Sequence, residues 1–294
     1  MKTSVLSSTI EHELYFSEFI RKLSEKFQPL QIFSFFKHSS SQKQSSCFVQ
    51  KQNSSIYDYC LLVVTETATR IDYEVQDFAN RTYEQGSMTI ICHNNQLIWE
   101  AIDLNSRFFK TIYNYGELLY SHCGLLTRPY VGPFIQVDGA KKAVKHYRYR
   151  MPLAEGFLSG ADKCLQEERW ELCLFMLHQA VEQTSIMLIR VLLSYRSEFH
   201  NLCRLLKLLR SATDQPYLLF FETAESRRLF DILCKSYSSA RYKPDFAVKK
   251  IDAGKLYHMV TDYLSMANNL CDRHIDCLNQ AETGKPCIDP NLYD

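Results

Sequence analysis

The spacing of apolar and polar positions divides the chain in two. Over residues 9–27, Ile10, Leu14, Phe16, Phe19, Ile20, Leu23 and Phe27 recur at helical intervals. A short apolar run, LQIFSFFK (30–37), then reads as a buried strand, and the polar tract HSSSQKQSS after it reads as a loop. CFVQ (47–50) and YCLLVV (59–64) are two further strand candidates. A helix is expected over Asp72–Glu84, a fourth strand over SMTIICH (87–93), and an amphipathic helix at NQLIWEAID. Alternating helix and strand signals predict an α/β domain with a small mixed sheet.

Near residue 130 the pattern changes. RPYVGPFIQVDG, with two prolines and two glycines, predicts a connection, and KKAVKHYRYR (141–150) follows with five Lys/Arg and one His. From there strand signals stop. Helices are predicted over 153–170, 171–195, 200–212, 217–243 (stopped by Pro244) and 252–278, joined by short turns, which describes an all-α bundle. The expected layout is therefore an α/β domain over 1–130, a basic linker over 131–150, a helical domain over 151–280 and a loose tail over 281–294. The second helix is apolar on almost every side and is expected at the bundle's centre. His178, Gln179, Glu182 and Gln183 interrupt it, and the 178/182 and 179/183 pairs each share a face. A carboxylate on a central helix needs a partner, and Arg241 near the end of the fourth helix is the candidate. Either that pair is a structural ion pair, or Arg241 meets a phosphate in a pocket.

Composition narrows the classes. A chain of 294 residues suits two domains of about 150 residues. With 34 Lys+Arg against 33 Asp+Glu the net charge is +1, so bulk charge draws it to neither nucleic acid nor membrane. Eleven scattered cysteines, no Cys-x-x-Cys and no apolar leader in MKTSVLSSTI point to free thiols in a reducing cytoplasm. Arg190 breaks the best apolar run, so no membrane span is expected. The basic run 141–150 admits two readings: a solvated linker, or a nucleic-acid contact with Tyr147 and Tyr149 for stacking.

FLSGADKCLQEERWELCLFMLHQAVEQ, FHNLCRLLKLL and FDILCKSYSSARYKPDF, in that order over about 150–280, resemble the HEPN family. IFSFFKHSS, IYDYCLLVV and SMTIICHNNQLIWEAIDLNSRFFKTIYNYGELLYSH, over about 9–125, resemble the minimal nucleotidyltransferases often coupled to HEPN domains. The resemblance implies a Gly-Ser turn for phosphates, an Asp-x-Asp pair and a third acid holding magnesium. This chain has Lys37-His38-Ser39-Ser40 in place of Gly-Ser, keeps Asp58, has Cys60 for the second acid, and offers only His93 at the end of 87–93. A thiol is a poor magnesium ligand. Asp58, Cys60 and His93 are the remnant of that site, with a zinc set of the three as a minor alternative; magnesium enters only with residual transfer. The resemblance likewise implies, for ribonuclease members, Arg-x4–6-His at the fourth helix end. No histidine follows Arg241 within 242–248, and His200 reads as a helix-start or core histidine. Arg241, Tyr242, Lys243, His178 and Glu182 are the candidate ligand residues. The expectation is a non-catalytic protein that binds a nucleotide, RNA phosphate or a partner, dimeric through the HEPN bundle. Residual nucleotidyl transfer or a toxin–antitoxin-like HEPN ribonuclease is the alternative.

Overall fold

The computed structural model describes the backbone of residues 2–44, 52–67, 69–242 and 247–282, and the side chains of 11–40, 56–67, 69–238 and 247–282. The chain forms two compact units, 1–134 and 135–294.

The first unit is built on a four-stranded mixed sheet of order β3-β2-β1-β4. Strand β1 (Gln31–Gln44) pairs antiparallel with β2 (Gln52–Thr65), from Gln31↔Val64 out to Gln44↔Gln52. The Ser/Gln tract expected as a loop therefore continues β1 as far as Gln44. A ladder is made by backbone groups, which polar side chains supply as well as apolar ones. The CFVQ candidate lies outside the described residues. Strand β3 (Gly86–Asn94) runs parallel to β2 after a crossover through α2 (Asp72–Thr82). Strand β4 (Glu117–Ser121), absent from the sequence-based expectation, pairs antiparallel with the start of β1.

Both faces of the sheet are covered. Tyr57, Tyr59, Leu61 and Val63 of β2 join Phe19, Ile20 and Leu23 of α1 (Lys2–Phe27) and Val75 and Ala79 of α2 in one core cluster. On the other face, Phe33 meets Tyr113 of α4 (Arg107–Tyr115) with ring centroids 4.7 Å apart, and His93 meets Phe109 at 5.2 Å. Two covered faces account for the unbroken Cys60-Leu61-Leu62-Val63-Val64 run, since neither set of alternating side chains faces water. Helix α3 (Asn95–Asp103) begins directly after β3, its first turn capped by the Asn94 side chain accepting from the Leu97 N–H at 3.1 Å.

The second unit is all helix: α5 (Gly139–Gln166), α6 (Trp170–Leu188) with a π turn over Ile189–Leu193, α7 (Leu202–Leu209), α8 (Gln215–Phe221), α9 (Ala224–Tyr242) and α10 (Lys250–Glu282). The basic run assigned to a linker is the first third of α5. Ala140, Ala143, Met151 and Ala154 are buried along it, and that apolar stripe holds the helix together through Pro152, an interior proline that costs a helix about 3 kcal/mol in isolation. The single helix expected over 217–243 is two helices. Thr223 Oγ1 accepts from the Ser226 N–H at 3.0 Å while Ser226 Oγ accepts from the Thr223 N–H at 3.1 Å, a reciprocal cap that starts α9 afresh.

Helix α6 is the bundle's centre, with Leu174, Leu177, Val181, Met187 and Leu188 fully buried. Trp170–Leu193 is long and apolar enough to span a membrane by composition, and 72% of that window is buried inside the unit. Eight cysteines among the described residues are free thiols. Cys277 is disulfide-bonded, which departs from the expectation of free thiols throughout: spacing along the chain does not reveal which cysteines the fold brings within bonding distance.

Candidate functional site

In the sheet unit the candidate residues sit on β2 and β3, and register decides what they can do together. Gly86 opens β3 so close to β2 that a Cβ on it would lie 1.8 Å from the Tyr57 carbonyl oxygen. That approach places Ser87 opposite Asp58, and the Ser87 hydroxyl donates to Asp58 Oδ1 at 2.5 Å. Cys60 faces Thr89 and is 1% exposed. His93 faces Val64, four residues beyond Cys60, or about 13 Å along the strand. A zinc set of Asp58, Cys60 and His93 is thus ruled out by register, because zinc ligands lie about 2 Å from one metal. Residues 87, 89, 91 and 93 of β3, which flank the Asp58 face, are Ser, Thr, Ile and His, none of them an acid. Among the described residues no group of three His, Cys, Asp or Glu side chains could hold a metal.

The opposite face carries a polar cluster that no spacing along the chain singles out. His12 is 3% exposed and stacks on Tyr57 at 3.3 Å between centroids. Its Nδ1 bonds Gln85 Oε1 at 2.7 Å and its Nε2 bonds the Tyr59 hydroxyl at 2.9 Å. Burial lowers the His12 pKa, the Gln85 bond opposing and Lys37 assisting.

The helical unit brings together residues the sequence kept apart. Glu182 is 6% exposed on α6. Its Oε1 accepts from Nδ1 of His200 at 2.8 Å, and the side chain of His200 is 67% exposed. Gln179 Nε2 reaches both the other Glu182 oxygen at 3.4 Å and His178 Nδ1 at 3.2 Å. His178 in turn stacks on Tyr237 of α9, centroids 4.9 Å apart. Gln183, one position on, points elsewhere and accepts from Arg150 of α5 at 2.5 Å.

His200, read from sequence as a helix-start or core histidine, is therefore a surface imidazole held by a buried carboxylate. It immediately precedes Asn201, whose side chain caps α7 by accepting from the Arg204 N–H at 3.0 Å, so the turn that starts α7 also sets the histidine. With Nδ1 donating to Glu182, Nε2 is the ring nitrogen open to a ligand. This is how a carboxylate fixes a histidine's tautomer and orientation in acid–base and anion-binding sites. The signal in the sequence was Glu182 itself: a charge on an apolar helix implies a donor nearby, though not which one. Arg241 and Tyr242 end α9, Arg241 one turn after Tyr237. Their side chains, and Lys243, lie outside the described residues.

The family model for the HEPN domain matches residues 147–270. The helical unit carries a HEPN domain. Glu182, His200, His178 and Tyr237 all fall inside the matched stretch. A solved structure described as a nucleotidyltransferase-like protein from Exiguobacterium sibiricum 255-15 is 9% identical and covers 95% of this chain and 84% of its own, with a TM-score of 0.28. That score is too low to equate the folds. No curated protein matches the chain.

Proposed function

We propose that the HEPN domain binds RNA phosphate at the Glu182–His200 pair, as a homodimer, and that the sheet unit does not transfer nucleotides. The observation that carries the binding reading is the 2.8 Å bond from a buried carboxylate to an exposed imidazole. A carboxylate with no role beyond the fold is commonly paired inside; this one fixes a ring whose other nitrogen faces solvent. Protonated, that nitrogen donates to a phosphate oxygen. Dimerisation rests on the HEPN resemblance alone, since homodimers are what it implies. Against transfer stand Asp58 without an acid beside it on β2 or β3 and a buried thiol at position 60. Two-metal chemistry needs several hard oxygen ligands on one face.

RNA cleavage is the second reading, and the same bond favours it. An imidazole oriented through Nδ1 is equipped to take and return a proton through Nε2. The test incubates the full chain with labelled single-stranded RNA in chelator. Retarded, intact RNA that is released by His200→Ala supports binding. Shortened RNA, lost in the same variant, supports cleavage. Equal RNA affinity in wild type and His200→Ala sinks the binding reading, and RNA left intact by the wild type, or shortened equally by His200→Ala, sinks the cleavage reading. Label passing from a nucleoside triphosphate to the protein or another acceptor, with magnesium, sinks the reading of the sheet unit.

A further inference from the structure

A cationic cluster lies on another side of α6, where the Glu182–His200 pair takes no part. Helices α5 and α6 are joined by the turn at 167–169 and run antiparallel. The Arg150–Gln183 bond fixes their register. One turn back along α5 stands His146, and two turns forward from Gln183, inside the π turn, stands Arg190. The register thus brings His146, Arg150 and Arg190 to one place, and Arg196 follows on the segment leaving the π turn. Single π turns are frequent at functional sites.

Charge in this cluster is unbalanced. Arg190 is half-buried and has no hydrogen-bond or ion-pair partner among the described residues. Burial lowers its pKa, and Arg196 and Arg150 lower it further. His146 is lowered by burial and then by Arg190, Arg150 and Lys145. No carboxylate figures in either environment. Concentrating like charges around a half-buried guanidinium is unfavourable for an isolated fold, and an incoming anion relieves it. Beside the cluster, Tyr149 is 66% exposed, with the Arg150 guanidinium 5.8 Å from its ring centroid. Tyr147 is committed elsewhere, its hydroxyl donating to Asn268 of α10.

We propose that His146, Arg150, Arg190 and Arg196 form a phosphate site for a single strand of nucleic acid, with Tyr149 as a stacking platform for a base. The chain from Arg196 to His200 spans four residues, at most about 13 Å, short enough for one strand to meet both ends. A strand leaving this cluster along 196–200 arrives at His200 and Glu182. The inference rests on the RNA reading of the HEPN domain and extends it: the arginine cluster holds the strand, and the histidine meets a phosphate further along it.

The test is fluorescence anisotropy of a labelled single-stranded RNA with the full chain across a salt series. Arg190→Gln is expected to weaken binding about tenfold and to flatten the slope of log affinity against log salt by about 0.7, one counterion contact on a single strand. Arg196→Gln, at an exposed side chain, is expected to flatten the slope equally. Tyr149→Ala is expected to weaken binding and leave the slope unchanged. Wild-type affinity and slope in both arginine variants would overturn the inference and leave the RNA reading standing. A wild-type chain that binds no RNA overturns both. Binding to phosphatidylserine vesicles without binding to RNA overturns both in favour of an acidic membrane surface.

Discussion

Two carboxylates, one in each unit, show how differently this chain treats an acid. Asp58 sits half-buried on β2 with a serine hydroxyl at 2.5 Å, and its strand neighbours on the same face are a buried thiol and an apolar run. Glu182 is more deeply buried, yet it faces an exposed imidazole at 2.8 Å and an amide that ties it to a second histidine. Depth of burial alone therefore does not separate a carboxylate paired within a sheet from one that holds a solvent-facing ring. Asp58 has no acid opposite it on β3 and holds a serine hydroxyl. Glu182 sends its charge outward through an imidazole, so a group that water cannot reach governs one that water can. The sheet unit uses its polar atoms to close the fold. The helical unit leaves the His200 imidazole facing outward on a buried carboxylate and gathers half-buried guanidinium groups beside α6.

The largest expected effect comes from forcing the sheet unit to resemble a metal site. Cys60→Asp restores the second acid of the resemblance at a position 1% exposed. It is expected to cost about 3 kcal/mol in denaturant unfolding, through an unpaired buried carboxylate, and to confer no magnesium-dependent stabilisation. A magnesium-dependent rise in its melting temperature would erase the contrast between the units.

Next is the helical pair. His200→Ala deprives buried Glu182 of its 2.8 Å donor and is expected to cost about 2 kcal/mol. Glu182→Gln keeps the shape but not the charge, and is expected to reduce RNA affinity while leaving the protein folded, as read by anisotropy beside circular dichroism. If Glu182→Gln binds RNA as tightly as wild type, Glu182 serves the fold alone and the two carboxylates are alike.

Acid is expected to weaken both units. His12 in the sheet unit and His146 in the helical unit both have folded-state pKa values below the ordinary 6.5. The unfolded chain therefore binds protons that the folded chain refuses, and stability falls as pH drops below about 6.5. The two tryptophans, Trp99 and Trp170, fall one in each unit, so Trp170→Phe and Trp99→Phe variants report each unit's unfolding separately. RNA is expected to reduce the acid sensitivity of the helical unit alone, because phosphate beside His146 favours its proton. Equal protection of both units would break that distinction.

The smallest effect belongs to Ser87→Ala. It removes one hydroxyl from a half-buried carboxylate and is expected to cost about 1 kcal/mol, with RNA affinity unchanged. A loss of RNA binding here would bring the sheet unit into the function.

Much of this was legible without coordinates. The α/β-then-helix order, the central place of α6 and the buried β2 run follow from apolar spacing, because burial is what those spacings serve. Other elements were not legible for equally physical reasons. The Ser/Gln half of β1 and the short strand β4 are held by backbone pairing, which leaves little mark on side-chain type. The basic start of α5 looks like a linker because its apolar stripe is mostly alanine. The break between α8 and α9 was written in Thr223-Ala-Glu-Ser226, a capping pattern hidden within a longer helical rhythm.

The sequence by itself determined that Asp58 stands without its second acid and that Glu182, on an apolar helix, requires a donor. Both are statements about residue type and local period. Only the tertiary structure decided that His93 lies far along the sheet from Cys60, that the donor is His200, and that His146, Arg150 and Arg190 converge. Those depend on strand register and on how two antiparallel helices slide against each other. Side-chain packing and hydrogen bonds across the fold fix these, and spacing along the chain does not encode them.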